Sequence, residues 1–137
     1  MNPRIYCLDD SATVRQQVAL ALAEQGEVTT SGLWSEVARW LFQQQRARSA
    51  GRRRRVVLVC DMDLVGIRGA DFCQIVKRHA PEVVIVAFTG RPEDAPAECA
   101  RVVAKAEGLS ALVRAIQAVA PSRPREGSGR LSLVGAL

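Results

Sequence analysis

Val56-Val57-Leu58-Val59-Cys60, followed at once by Asp61-Met62-Asp63, decides the fold of this 137-residue chain. Five consecutive apolar residues, entered from an arginine run and left through acidic residues, form a strand buried on both faces. Such strands lie at the centre of parallel sheets, whereas a sheet with one wet face alternates polar and apolar residues. A carboxylate at the end of such a strand stands where open α/β sheets bind ligands, beyond the carboxyl ends of their strands.

The same pattern recurs outward in both directions. Ile5 to Leu8 is a short apolar run that ends in Asp9-Asp10. Ser11 is a good helix N-cap, and Val14, Val18, Ala21 and Leu22 follow at helical spacing, with Gly26 closing the helix. Glu27 to Thr30 is a weak, polar strand suited to an edge. A second helix is expected from Leu33 to about Gln45, with Trp40 in the core and Trp34 half exposed; the Arg-rich stretch 46–55 is the following loop, whose start can extend the helix. After the loop Asp61 to Gly69, a third helix carries Phe72, Ile75 and Val76 on one face. Val83 to Phe88 is another apolar strand, ending at Thr89-Gly90. Pro92 and Pro96 then interrupt a region too short for a long helix. Val102 to Ala104 is a short strand ending at Lys105. Leu109, Leu112, Val113, Ile116 and Ala120 line one face of a last helix, which Pro121 stops. Alternating strands and helices give an α/β fold with a parallel sheet. Residues 1–120 are expected to form one domain and 121–137 a flexible tail rich in Ser, Pro, Gly and Arg.

Composition bounds the function. The apolar and charged fractions of 48% and 24% are those of a soluble globular protein. No run approaches the about 20 apolar residues of a membrane span, and no basic-then-apolar leader precedes the first strand. The expected compartment is the cytoplasm. The net charge of +5 hints at a polyanion partner, but Arg46, Arg48, Arg52, Arg53, Arg54 and Arg55 account for it, and without them the remainder is −1. Neither stacking aromatics nor a groove-reading helix adjoins that run, so no nucleic-acid partner is expected and the run is read as a solvated loop. Cys7, Cys60, Cys73 and Cys99 show no ligand spacing and read as buried thiols. His79 reads as a helix-end residue.

The chemistry gathers at the strand ends. Asp9, Asp10, Asp61, Thr89 and Lys105 each follow a strand. Two carboxylates about 5 Å apart repel by roughly 3 kcal/mol at an effective dielectric of 20. Three carboxylates against one lysine must therefore protonate, move apart or bind a cation, and a hard ion such as Mg²⁺ suits an all-oxygen site that keeps some waters. Mg²⁺ favours a phosphate-bearing partner. Asp61 can serve as a nucleophile that forms an acyl phosphate, with Lys105 and Thr89 holding the phosphoryl oxygens.

These residues resemble the motifs of bacterial response-regulator receiver domains, especially the single-domain chemotaxis type. Leu8-Asp9-Asp10-Ser11-Ala12-Thr13-Val14-Arg15 is similar to the family's opening acidic motif, and Asp61 to Gly69 to its phosphoacceptor loop. Thr89-Gly90 and Lys105 match its hydroxyl and lysine positions. The resemblance spans residues 3–120. It implies a flavodoxin-like, doubly wound, five-stranded parallel sheet of order 2-1-3-4-5, with helices on both faces. It implies Mg²⁺-dependent phosphorylation of Asp61 by a sensor histidine kinase or histidine phosphotransfer protein, and a switch acting on a downstream protein target. Asp10 would be the main Mg²⁺ ligand, assisted by Asp9, Asp61 and the backbone carbonyl of Asp63. A monomer or weak dimer without a membrane span or an appended output domain is expected.

The chain departs from the family on its output side. Val65 and Ala106 replace prolines, and Val102 replaces a Tyr or Phe. The Thr89 to Lys105 interval is short, so the fourth helix is expected to be stunted. Asp63 and Arg91, two residues past Asp61 and Thr89, could pair with each other. Two other readings compete. A pseudo-receiver would bind partners without phosphorylation. A haloacid-dehalogenase-like phosphatase would also place Asp61-Met62-Asp63-Leu64-Val65 after a strand, but it needs an acidic motif downstream of Lys105, where only Glu107 and Glu126 follow.

Overall fold

Every residue of β3 (Val56–Cys60) is buried. The computed structural model describes residues 2–49, 51 and 54–121 of the chain. Around β3 the order is β1 (Arg4–Leu8), α1 (Ala12–Ala21), β2 (Glu27–Ser31), α2 (Trp34–Ser49), β3, α3 (Gly69–His79), β4 (Val84–Thr89), β5 (Arg101–Ala104) and α4 (Leu109–Val119). The strands form one sheet of order β2-β1-β3-β4-β5, and every pairing is parallel. Parallel neighbours need crossover connections, and the helices supply all but one of them.

The period of two along each strand divides the core into two layers. Tyr6, Leu8, Leu58, Cys60, Ile85 and Ala87 point to one face and pack with Val37 and Leu41 of α2 and Phe72, Cys73 and Val76 of α3. Ile5, Cys7, Val57, Val59, Val86 and Phe88 point to the other and pack with Val18 of α1, Leu22 at its end, and Leu112 and Ile116 of α4. The doubly wound α/β architecture expected from the sequence is therefore present, with β2 at the edge.

The β4–β5 connection departs furthest from a helical crossover. The expected short helix is a single 3-10 turn at Pro92–Asp94. Ala95 and Cys99, in the segment beyond it, cover the α2–α3 face of the sheet. Proline at the start of that turn and again at Pro96 leaves no run of backbone donors long enough for an α-helix.

Smaller differences have local causes. Helix α2 runs on to Ser49 because Gln43, Gln44, Gln45, Arg46 and Ala47 are good helix formers. Trp40 is half-buried and stacks on Tyr6 with ring centroids 5.7 Å apart, while Trp34 is half exposed as expected. Helix α1 ends at Ala21, and Leu22 caps it instead of Gly26. His79 is the last residue of α3 and meets the Phe42 ring edge-on. Arg54 is not simply solvated: it donates to the Asn2 carbonyl and to Glu27, which also pairs with Arg4, and so ties the entry of β3 to β1 and β2. Arg52, Arg53 and the tail from residue 122 lie outside the described residues.

Candidate functional site

Strand β1 delivers Asp9 and strand β3 delivers Asp61 to the same edge of the sheet, because Leu8 and Cys60 are register partners. Asp61 N–H donates to the Leu8 carbonyl at 3.1 Å, which carries the β1–β3 ladder one residue past the strand. Both carboxylates are buried, Asp9 at 3% and Asp61 at 5% exposure. Lys105, which follows β5 directly, joins them. Its Nζ lies 2.8 Å from Asp9 Oδ2 and 3.2 Å from Asp61 Oδ2. Burial alone would lower the Lys105 pKa, but the hydrogen bond to Asp9 and the charges of both carboxylates outweigh it and raise the pKa.

The remaining oxygens are held by backbone. Asp9 Oδ1 accepts from Ser11 N–H at 2.8 Å. Ser11 Oγ accepts from Val14 N–H at 3.2 Å, the N-cap expected for α1. Asp61 Oδ1 accepts from Met62 N–H at 2.7 Å. Thr89, with no exposed surface, ends β4 beside them; its hydroxyl accepts from Met62 N–H at 3.3 Å and from Arg91 N–H at 3.0 Å. The hydroxyl is thus linked to the acidic loop through one shared amide. Gly69 closes that loop for a steric reason. A Cβ there would stand 2.4 Å from the Asp61 carbonyl oxygen and from Met62 Cα, closer than side chains approach.

Of the residues singled out in the sequence, Asp9, Asp61, Thr89 and Lys105 come together. Asp10 and Asp63 stay exposed at the rim. Among the described residues no three His, Cys, Asp or Glu side chains form a group able to hold a metal ion. Asp63 and Arg91 do not pair; Arg91 meets Asp94 at 4.0 Å instead, within its own turn. The donor set nevertheless fits Mg²⁺. That ion binds through one or two carboxylates, keeps several waters and takes substrate phosphate oxygens for the rest. Two buried carboxylates side by side, with a third at the rim, meet that requirement.

Sequence reasoning missed Arg15 and the Met62 amide. Arg15 Nη1 donates to the backbone carbonyls of Asp9 at 2.7 Å and Asp10 at 3.1 Å. It adds a second cation to a pocket in which only Lys105 had been counted. The sequence signal was an arginine one turn into the helix that follows an acidic pair, and such a residue reads equally well as solvated surface.

No family sequence model and no curated protein matches the chain. Solved structures do. The chain is 20% identical to a response regulator receiver domain protein from Clostridium thermocellum, covering 85% of this chain and 92% of that one at a TM-score of 0.71. The response regulator TrrA of Thermotoga maritima, solved in complex with Mg(2+)-BeF, is 16% identical over 85% of this chain and 98% of that one, at a TM-score of 0.64. A Rhodopirellula baltica protein named as an adenylate cyclase is 20% identical over 98% of this chain and 93% of that one, at 0.67. The chain has the fold of response-regulator receiver domains. A fold shared with a protein of another name does not choose an activity; the site must do so.

Proposed function

We propose that this receiver-fold chain is a phosphoacceptor of a two-component or phosphorelay system, phosphorylated on Asp61 in an Mg²⁺-dependent reaction that switches its protein interactions. The observation that carries the reading is a buried aspartate at the end of the central strand, with an ammonium on one oxygen and a backbone amide on the other. In the reaction a carboxylate oxygen of Asp61 attacks the phosphorus of a phosphohistidine. The new O–P bond forms as the P–N bond breaks, and the electron pair leaves with the imidazole. Lys105 and the Met62 amide meet the charge that develops on the phosphoryl oxygens, and Thr89 offers its hydroxyl beside them. Bound Mg²⁺, held chiefly by Asp10 with Asp9, Asp61 and the Asp63 carbonyl assisting, would neutralise phosphoryl oxygens.

The donor would be a sensor histidine kinase or histidine phosphotransfer protein, and the output a protein target. Among the described residues no helix is long and apolar enough to cross a membrane; the proposed site of action is the cytoplasm. The chain would act as a signalling domain whose only chemistry is on its own aspartate. A pseudo-receiver is the second reading, favoured by one observation: the Lys105 ammonium bridges the Asp9 and Asp61 carboxylates and so itself offsets part of their charge.

Beryllofluoride, a phosphoryl mimic, separates the two. Wild type should bind it only when Mg²⁺ is present, and Asp61→Asn should not bind it. Equal behaviour of the two proteins would favour the pseudo-receiver.

A further inference from the structure

Asp10 stands apart from the other acidic residues of the pocket. No hydrogen bond holds its carboxylate among the described residues, and its only contact of that kind is through its backbone carbonyl, to Arg15. The same Arg15 nitrogen holds the carbonyl of Asp9, so one guanidinium fixes two consecutive peptide units. The direction in which Asp10 leaves the strand is set there. A Cβ on Gly32 would stand 2.9 Å from Arg15 Nη1, so the end of that flexible side chain would shift, and 3.5 Å from the Asp9 carbonyl oxygen, an ordinary contact. Gly32 belongs to the loop after β2, a strand end that contributes no functional side chain of its own.

We infer that Arg15 is a positioning residue for the cation site, acting through Asp10. The inference rests on the receiver reading, in which Asp10 binds Mg²⁺. Its physical content is a sign. Arg15 is a cation beside a proposed cation site, so as a mere charge it opposes Mg²⁺, and its removal would tighten binding. As a clamp that orients a ligand it aids Mg²⁺, and its removal weakens binding, as loss of outer supporting contacts at metal sites does by about 10- to 100-fold.

The test measures Mg²⁺ affinity by calorimetry on the full chain, with thermal midpoints recorded in parallel. Arg15→Ala should bind Mg²⁺ about tenfold more weakly. Arg15→Lys, which restores the cation and its donors, should recover part of the loss. In the Asp10→Asn background, Arg15→Ala should add little, because residues acting through one group are not additive. Tighter binding by Arg15→Ala or full additivity with Asp10→Asn would each overturn the inference. Failure of wild type to bind Mg²⁺ at all would instead overturn the receiver reading beneath it.

Discussion

The β1–β3 half of the sheet and the β4–β5 half end differently. On the first, two neighbouring central strands run into the acidic loops in register, Asp9 and Asp61 are buried, and backbone amides, Lys105 and the Arg15 clamp hold their oxygens and peptides. On the second, the crossover helix is reduced to one 3-10 turn, β5 has four residues, and Val102 is 43% exposed. Yet that weaker half still delivers Thr89 and Lys105 to the pocket. Placing a side chain at a strand end needs only the strand and its ladder, since Thr89 and Ala104 are register partners. The helix between them is free to shrink. The strand-end side chains and the connection between the strands can therefore diverge separately in this fold.

The comparison can be broken at its strongest joint first. Lys105→Met should slow phosphorylation of Asp61 by acetyl phosphate by about 10²- to 10³-fold, the usual effect of removing one preorganised donor from a developing anion; a rate within threefold of wild type would remove Lys105 from the chemistry. Leu58→Ala, in the fully buried centre of β3, should cost about 2–5 kcal/mol in urea unfolding.

High pH probes both halves. Burial pushes the Cys7 thiol from its ordinary 9.0 up to about 12. Both the thiol and the Lys105 ammonium have folded-state pKa values above their unfolded ones. Their stabilisation is whole below the unfolded values and is lost as pH rises through the folded ones. The urea midpoint should therefore hold to about pH 9 and fall above it, because the unfolded thiol ionises there first. Cys7→Ala should flatten the early part of that fall, and an unchanged slope would dissociate it from the thiol. The smallest effect belongs to the edge: Val102→Ala should change stability by no more than about 0.5 kcal/mol, and a loss as large as that of Leu58→Ala would erase the distinction between the halves.

Much of this was legible in the sequence because strand burial and strand-end chemistry are local. Val56–Cys60 could be read residue for residue, since a run of five apolar residues between charges has few other readings. Asp9, Asp61, Thr89 and Lys105 could be placed because each ends or follows its own strand. What could not be read depends on where long side chains turn back. Arg15 reaches Asp9 and Asp10 across the first turn of α1, and Arg54 reaches Glu27 across the sheet's lower edge. Neither shows in periodicity. Asp10 and Asp63 looked like Asp9 and Asp61 in the sequence, yet only the latter pair is buried and shares the lysine.

The central claim is that Asp61 accepts a phosphoryl group. Wild type and Asp61→Asn incubated with acetyl phosphate and Mg²⁺, then weighed intact and mapped by peptide mass, test it most directly. One phosphoryl group on the wild-type chain, on the peptide that contains Asp61 and removed by hydroxylamine, is the expected result, with none on Asp61→Asn. No gain on wild type, or the same gain on both proteins, would contradict it.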